Sequence, residues 1–153
     1  VLQVETVIEL GSVQYLNDLV DSALLMILDS EEKNLDRETA MRGVKAALEN
    51  PSRGFYVVAK IDGQFAGSLF VNNFWLDLMA GFVWWINCVH VRKEYRRQGI
   101  YELMYNFVRE KAKSRDDVVA LRLLVHPENL SAKSAYTKTG MSELPYLVFQ
   151  ERL

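Results

Sequence analysis

Cysteine is almost missing from this chain. Cys88 is the only one in 153 residues, so an intramolecular disulfide is excluded. No apolar run is long enough to span a bilayer; the longest, from Met79 to Val91, is interrupted by Asn87 and His90. Neither sign of charge dominates: 18 Lys and Arg against 20 Asp and Glu leave a net charge of −2, which gives no ground for a nucleic-acid or membrane partner. A Gly-Lys-Ser/Thr ending and a Gly-x-Gly-x-x-Gly fingerprint are both lacking, which disfavours a nucleotide P-loop and a dinucleotide site. There is no repeat, linker or low-complexity stretch, and no signal-peptide pattern follows Val1. Half of the residues are hydrophobic and a quarter are charged, the usual balance of a globular protein. The expectation is one soluble, cytoplasmic domain over residues 1–153.

Within that frame the periodicity alternates between strand and helix. Leu2 to Ile8 reads as a first strand, and Ser12 as the cap of a helix to about Leu28 whose buried stripe is Val13, Leu16, Val20, Leu24 and Ile27. Asp36 caps a second helix, with Leu35 and Ala40 as a hydrophobic staple, and Asn50-Pro51 ends it. Phe55 to Ile61 alternates as a strand, Asp62-Gly63 is a hairpin turn, and Gln64 to Val71 returns. Asn72 to Gly81 reads as a turn region. Phe82 to Val91 is almost uninterruptedly apolar, as in a strand buried on both faces. A helix to about Ser114, a strand from Val118 to Val125, a short helix from about Leu130 to Lys138 and a last strand from Tyr146 to Glu151 complete the chain. The order β-α-α-β-β-β-α-β-α-β is mixed α/β (α+β), with about six to seven strands flanked by about four helices. The helix after Gly99 is the natural crossover for a parallel pair, Phe82–Val91 beside Val118–Val125.

The chemistry is concentrated where that crossover begins. Ile100, Leu103, Met104, Phe107 and Lys111 recur at helical spacing, so a helix opens right after the basic turn Arg96-Arg97-Gln98-Gly99. A helix start carries unpaired backbone N–H groups and a partial positive charge, which makes it an anion site before any side chain is considered. Arg96 and Arg97 add planar cationic forks, and Gly99 removes a side chain that would hold a ligand off the backbone. An anion of pyrophosphate size fits this turn. Taken alone, the same residues also fit a solvated basic turn.

A second motif, about thirty residues further on, lies after the next strand: Asn129, Ala132, Tyr136, Gly140 and Met141 stand in the pattern Asn-x-x-Ala-x-x-x-Tyr-x-x-x-Gly-x. With Arg96 and Gly99 in the pattern Arg/Gln-x-x-Gly-x-Gly/Ala, the chain resembles the GNAT N-acetyltransferase superfamily from about Gly54 onward. The resemblance implies acetyl-CoA as cosubstrate, no metal, and direct transfer of acetyl to a primary amine of a small molecule or peptide. It places the diphosphate on Arg96, Arg97, Gln98, Gly99, Ile100, Tyr101 and Glu102. The pantetheine arm falls along the main chain of Val89 and Val91, with the Val89 N–H as oxyanion donor. Asn129 would hydrogen-bond the cosubstrate, and Tyr136 would protonate the leaving thiolate. On residue chemistry alone Asn129 equally well caps a helix, and Tyr136 equally well packs. The chain departs from the pattern in places: Tyr101 stands where glycine or alanine is usual, Glu102 brings a carboxylate close to the expected diphosphate, and Met141 replaces the usual phenylalanine conservatively in a packing position. A non-catalytic CoA-binding or sensor domain of the same fold is the alternative.

The general base stays open. Trp85 and Asn87 occupy the positions where relatives keep a titratable group. His90, of opposite parity to them in a regular strand, is expected to face elsewhere. His126, Glu31, Glu32 and Glu128 are the other candidates. For the acceptor, Asp29, Glu31 and Glu32 would attract a cationic amine, and Trp75, Trp84, Trp85 and Tyr146 would wall an apolar pocket; peptide, polyamine, aminoglycoside and amino-acid acceptors are all compatible. So is a homodimer.

Overall fold

The computed structural model describes residues 3–31 and 35–153 and, for Ser30 and Glu31, the backbone only. Among the described residues, five strands form one sheet in the order β1-β2-β3-β4-β5: β1 Thr6–Leu10, β2 Phe55–Ile61, β3 Gln64–Leu76, β4 Gly81–Val91 and β5 Val118–Leu123. Four α-helices accompany them: α1 Leu16–Glu31, α2 Arg37–Glu49, α3 Ile100–Lys113 and α4 Leu130–Lys138. Neighbouring strands are antiparallel except β4 and β5, which run parallel through the α3 crossover. The mixed α/β class and four helices agree with the sequence pattern.

Alternation in the strands assigns each residue to one of two cores. Val57, Ala59 and Ile61 of β2, Leu69 and Val71 of β3, and Trp84 and Ile86 of β4 pack with Ile100, Met104, Tyr105 and Val108 of α3. On the other face Val58 and Phe65 pack with Tyr15, Leu19 and Val20 and with Val44 of α2. Both faces of the sheet are thus covered, which is why its central strands read as nearly continuous apolar runs.

Local chemistry sets most of the boundaries. Asp36 caps α2 by accepting from the Thr39 N–H at 2.8 Å. Asn50 turns the chain out of α2 by accepting from Ser52 N–H at 3.0 Å. Asp62 and Gly63 both have positive φ, 49° and 78°, as a two-residue hairpin between β2 and β3 requires.

Four expectations are corrected. Ser12 makes no side-chain cap; the chain enters α1 through a 3-10 turn, Val13–Tyr15, with Tyr15 N–H on the Ser12 carbonyl. Asn72 to Gly81 is not a turn region, because Asn72–Leu76 continues β3 opposite Trp85–Gly81 and only Asp77–Met79 turns. Two adjacent asparagines imitate a loop locally, but cross-strand pairing overrides that preference. Finally, Tyr146 to Glu151 forms no strand, so the sheet has five strands rather than six or seven; the segment lies exposed and β5 remains an edge. The first strand also starts later than expected, at Thr6, and Leu2 lies outside the described residues.

Candidate active site

The sequence run Asn87-Cys88-Val89-His90-Val91 carries the main irregularity of the sheet. Ser68 pairs with His90 but Phe70 pairs with Asn87, so one residue of β3 faces two of β4. This is a β-bulge, and Cys88 takes a positive φ of 51° to make it. An inserted residue reverses parity: Trp84 and Ile86 face α3, and past the bulge Val89 and Val91 do so. His90 is thereby turned onto the α1/α2 face with its partner Ser68. Asn87, which donates to Asn72 at 2.6 Å, lies on that same face. The expectation that His90 faces away from Asn87 is therefore wrong. One signal was in the sequence: the only polar residues of the run lie three apart, a spacing that one strand face accepts only with an insertion.

The β4–β5 ladder ends at the pair Ile86–Leu123. β5 ends there, while β4 runs on to Val91, so the Asn87–Val91 stretch of β4 has no β5 partner. His90 is 6% exposed, and its buried Nδ1 has no hydrogen-bond partner. Burial, reinforced by the Arg96 guanidinium, holds its pKa below the ordinary histidine value, which keeps the ring neutral. Burial also raises the Cys88 thiol and makes it a poor nucleophile.

After Val91 a short 3-10 turn, Lys93–Tyr95, leads to the start of α3. Arg97 (φ 61°) and Gly99 (φ 74°) both adopt the left-handed conformation. Gly99 is needed for that φ and not for space, since an added Cβ would meet nothing within 4 Å. As the N-cap, Gly99 offers no side-chain acceptor, and the intrahelical ladder begins with Leu103 N–H on the Gly99 carbonyl at 3.1 Å. The amides of Ile100, Tyr101 and Glu102 therefore precede the ladder at an exposed, electropositive helix start.

The two arginines are not equivalent. Arg96 folds back: its Nε donates to the Val91 carbonyl at 2.8 Å and its Nη2 pairs with Asp29 of α1 at 3.1 Å. Arg97 is exposed. Gln98 donates to the Glu94 carbonyl at 3.2 Å, and Glu102 is exposed on the first turn of α3. Arg92, which sequence reasoning passed over, pairs with Asp18 at 2.6 Å; together with Arg96–Asp29 it ties α1 to the turn at two points.

The second motif meets the first through side chains. Asn129 caps α4, its Oδ1 accepting from Ala132 N–H at 3.1 Å, which leaves its amide hydrogens free to donate. Thr139 and Gly140 end the helix, Gly140 with a φ of 91°. Tyr136 projects onto α3, where its ring meets that of Tyr101 edge-on at 5.2 Å. Arg109 extends the seam by donating to the Thr139 carbonyl at 3.2 Å while covering the Tyr105 ring. Burial raises the pKa of Tyr136 above the ordinary phenol value, so the hydroxyl is a proton donor at neutral pH. Tyr101 is raised as well, by burial first and then by the neighbouring Tyr136.

The expected acceptor walls are mostly elsewhere. Trp84 is 1% exposed in the α3-side core, where its ring stacks edge-on against Phe55 at 5.1 Å. Trp75 lies opposite Phe82, six residues before the bulge and so about 20 Å away along the strand. Tyr146 is on the exposed C-terminal segment. Asp29 does reach the site, through Arg96. Glu32 and the Glu31 side chain lie outside the described residues. A cavity of about 200 Å³ that no motif announced lies between α1, α2 and the sheet, lined by Leu19, Ala40, Val44, Tyr56, Ser68 and Cys88. It reaches the bulge from the side that His90 faces. Among the described residues no cluster of three or more His, Cys, Asp or Glu could hold a metal ion, and no helix is long and apolar enough to cross a membrane.

Residues 19–141 match the model of the acetyltransferase (GNAT) family. A possible acetyltransferase from Clostridium difficile 630 superimposes with a TM-score of 0.89 at 28% identity, covering 97% of each chain. A predicted acetyltransferase with acetyl-CoA from Clostridium acetobutylicum gives 0.81 at 16% identity over 96% of each chain. The aminoglycoside N-acetyltransferase AAC(6')-Iy in complex with CoA gives 0.80 at 12% identity, over 98% of this chain and 96% of that one; at such identities these last two share the fold alone. Among curated protein sequences, none matches the chain.

Proposed function

The chain belongs to the GNAT acetyltransferase family, and on that premise we propose that it moves acetyl from acetyl-CoA to a primary amine by direct attack. One observation carries this reading: the two motif segments, far apart in sequence, meet at the start of α3, where the Tyr136 ring meets Tyr101 edge-on. Solved structures of the same fold hold acetyl-CoA or CoA, which supports the choice of cosubstrate.

Bound acetyl-CoA supplies a thioester whose carbonyl carbon the amine nitrogen attacks, so that a C–N bond forms as the C–S bond breaks. The first-turn amides of α3, with Arg97 beside them, hold the diphosphate. Arg96, Gln98 and Glu102 border that anion, and Glu102 makes the turn less positive than the family pattern would. Val89 and Val91 present main chain along the open edge of β4 to the pantetheine arm, and the Val89 N–H faces the charge that grows on the thioester oxygen. Asn129 donates its free amide hydrogens to the cosubstrate. Tyr136 gives its proton to the departing sulfur. The amine enters from the α1/α2 face, where neutral His90 accepts its proton directly or through water.

Calorimetric titration with acetyl-CoA, repeated on Gly99→Glu, tests the cosubstrate site. Thiol release in the presence of an amine library tests the reaction. Saturable binding that is lost in Gly99→Glu, with turnover on at least one amine, is expected. Binding without turnover across chemically diverse amines would select a non-catalytic CoA-binding domain instead.

A further inference from the structure

The cavity of about 200 Å³ between α1, α2 and the sheet lies on the face to which the bulge turns His90. Leu19 and Ala23 of α1, Leu35, and Ala40 and Val44 of α2 form apolar walls. Tyr56, Ser68 and Cys88 form the sheet side, and none of the three is charged, because burial holds the Tyr56 phenol and the Cys88 thiol protonated. Ser68 is the ladder partner of His90, so this floor adjoins the group proposed to take the amine proton. Gly43 stands at the mouth, exposed and on the same helix face as Ala40 and Val44. Glycine inside a helix is less stable than alanine, yet a Cβ at this position would meet nothing within 4 Å. Packing does not require the glycine; its missing side chain leaves the mouth of the cavity open.

Three carboxylates of α1 are already committed: Asp18, Asp21 and Asp29 pair with Arg92, Arg37 and Arg96. A second ammonium group in the cavity would lose its hydration, and no carboxylate among the described lining residues would replace it. An alkyl or phenyl frame, by contrast, gains free energy by leaving water for these walls. A dry cavity of about 150 Å³ takes a benzene ring, so this one has room for a frame of roughly six to eight carbon atoms. We infer that the acceptor is a primary monoamine with a compact apolar frame, its nitrogen beside His90 and its frame in this cavity, and not a polycation. The inference rests on the acetyl-transfer reading for the fate of the nitrogen. Its lone pair forms the C–N bond, a nitrogen-bound proton leaves to His90, and CoA departs as the thiol with a proton from Tyr136.

Two measurements on the full chain test it: nuclear Overhauser contacts from pentylamine to the protein methyls, and kcat/KM for ethylamine, pentylamine and 1,5-diaminopentane with acetyl-CoA. Contacts to the methyls of Leu19 and Val44 are expected. Each buried methylene raises kcat/KM about threefold, so pentylamine is expected to exceed ethylamine on the order of thirtyfold. It is expected to exceed the diamine, which has the same chain and a second charge, at least tenfold. Gly43→Leu, a better helix former that fills the mouth, is expected to lose both the contacts and the preference for pentylamine. If that variant does not fold, Gly43→Glu puts a carboxylate at the mouth and is expected to shift the preference toward the diamine at least tenfold. Contacts without turnover of any amine would sink the acetyl-transfer reading and leave the ligand class standing. Turnover with the diamine equal to or ahead of pentylamine, or with no gain over ethylamine, overturns the inference and leaves the reaction intact. So does a preference that these substitutions do not change. Absence of contacts from pentylamine overturns the inference whatever the turnover.

Discussion

The ring of Tyr136 meets the ring of Tyr101 edge-on, with centroids 5.2 Å apart. Tyr101 occupies the position at which the sequence departs from the family pattern, and Tyr136 is the residue that the pattern puts at the sulfur. The departure is therefore the surface on which α4 rests. The Tyr101 hydroxyl is buried without a hydrogen-bond partner, so its ring and not its oxygen supports Tyr136. Tyr101→Phe is expected to be neutral or to stabilise by up to about 1 kcal/mol, because an unsatisfied buried donor is removed. Tyr101→Ala is expected to cost about 2–4 kcal/mol of unfolding free energy, measured by urea denaturation. Equal losses in both variants would mean that the hydroxyl is bonded, with Thr139 as the nearby partner.

Tyr136→Phe keeps the ring contact and removes only the donated proton. With Tyr136 as general acid, kcat falls by about a hundredfold or more while the affinity for acetyl-CoA changes little. Full turnover in this variant would remove Tyr136 from that role. Steady-state kinetics beside calorimetry separates the outcomes.

At the turn proposed to hold diphosphate, Arg97 and Arg96 are expected to contribute unequally. Arg96 already spends its guanidinium on Asp29 and the Val91 carbonyl, so Arg96→Gln alters both its ion pair and the β4 edge. Arg97→Gln removes an uncommitted charge and is expected to weaken acetyl-CoA binding and flatten its salt dependence. The exposed Arg96–Asp29 pair itself is worth about 0.5 kcal/mol or less in a double-mutant cycle. Gly99→Ala, at a φ of 74°, is expected to cost about 1–2 kcal/mol of stability from backbone strain. A neutral result would show that the turn relaxes.

His90 gives the pH dependence. Its folded-state pKa lies below the ordinary 6.5, chiefly through burial and Arg96, with Arg92 in the same sense and Asp29 and Glu94 opposing. Below 6.5 the unfolded chain binds a proton that the folded chain refuses, so the unfolded state gains stability as pH falls. The contribution of neutral His90 is thus present above 6.5 and is lost as pH drops through the lower folded value. Denaturant midpoints measured against pH should fall more steeply below 6.5 in the wild type than in His90→Gln. If His90 also takes the amine proton, the same variant loses turnover at neutral pH, where its stability is unaffected by this titration.

Much of this was already present in the residues. Asp36 capping α2, the Asp62-Gly63 hairpin, the α3 crossover after Gly99 and the Asn129 cap of α4 are local events, each settled by a few neighbouring groups. The unpaired first-turn amides of α3 follow in the same way from Gly99 at the N-cap. Longer-range questions had other answers. Asn72–Leu76 is strand because Trp85–Gly81 pairs with it. Tyr146 to Glu151 has strand composition but is given no partner within the chain.

What the sequence determined by itself was therefore the list of elements and the two motifs, because propensity, capping and periodicity act over a few residues. Tertiary structure alone decided which faces those motifs share. One inserted residue at Cys88 reverses the parity of β4 and turns His90 to the face of Asn87, and one ring contact brings Tyr136 to Tyr101. Register and packing are properties of pairs of elements, and neither is written in either element alone.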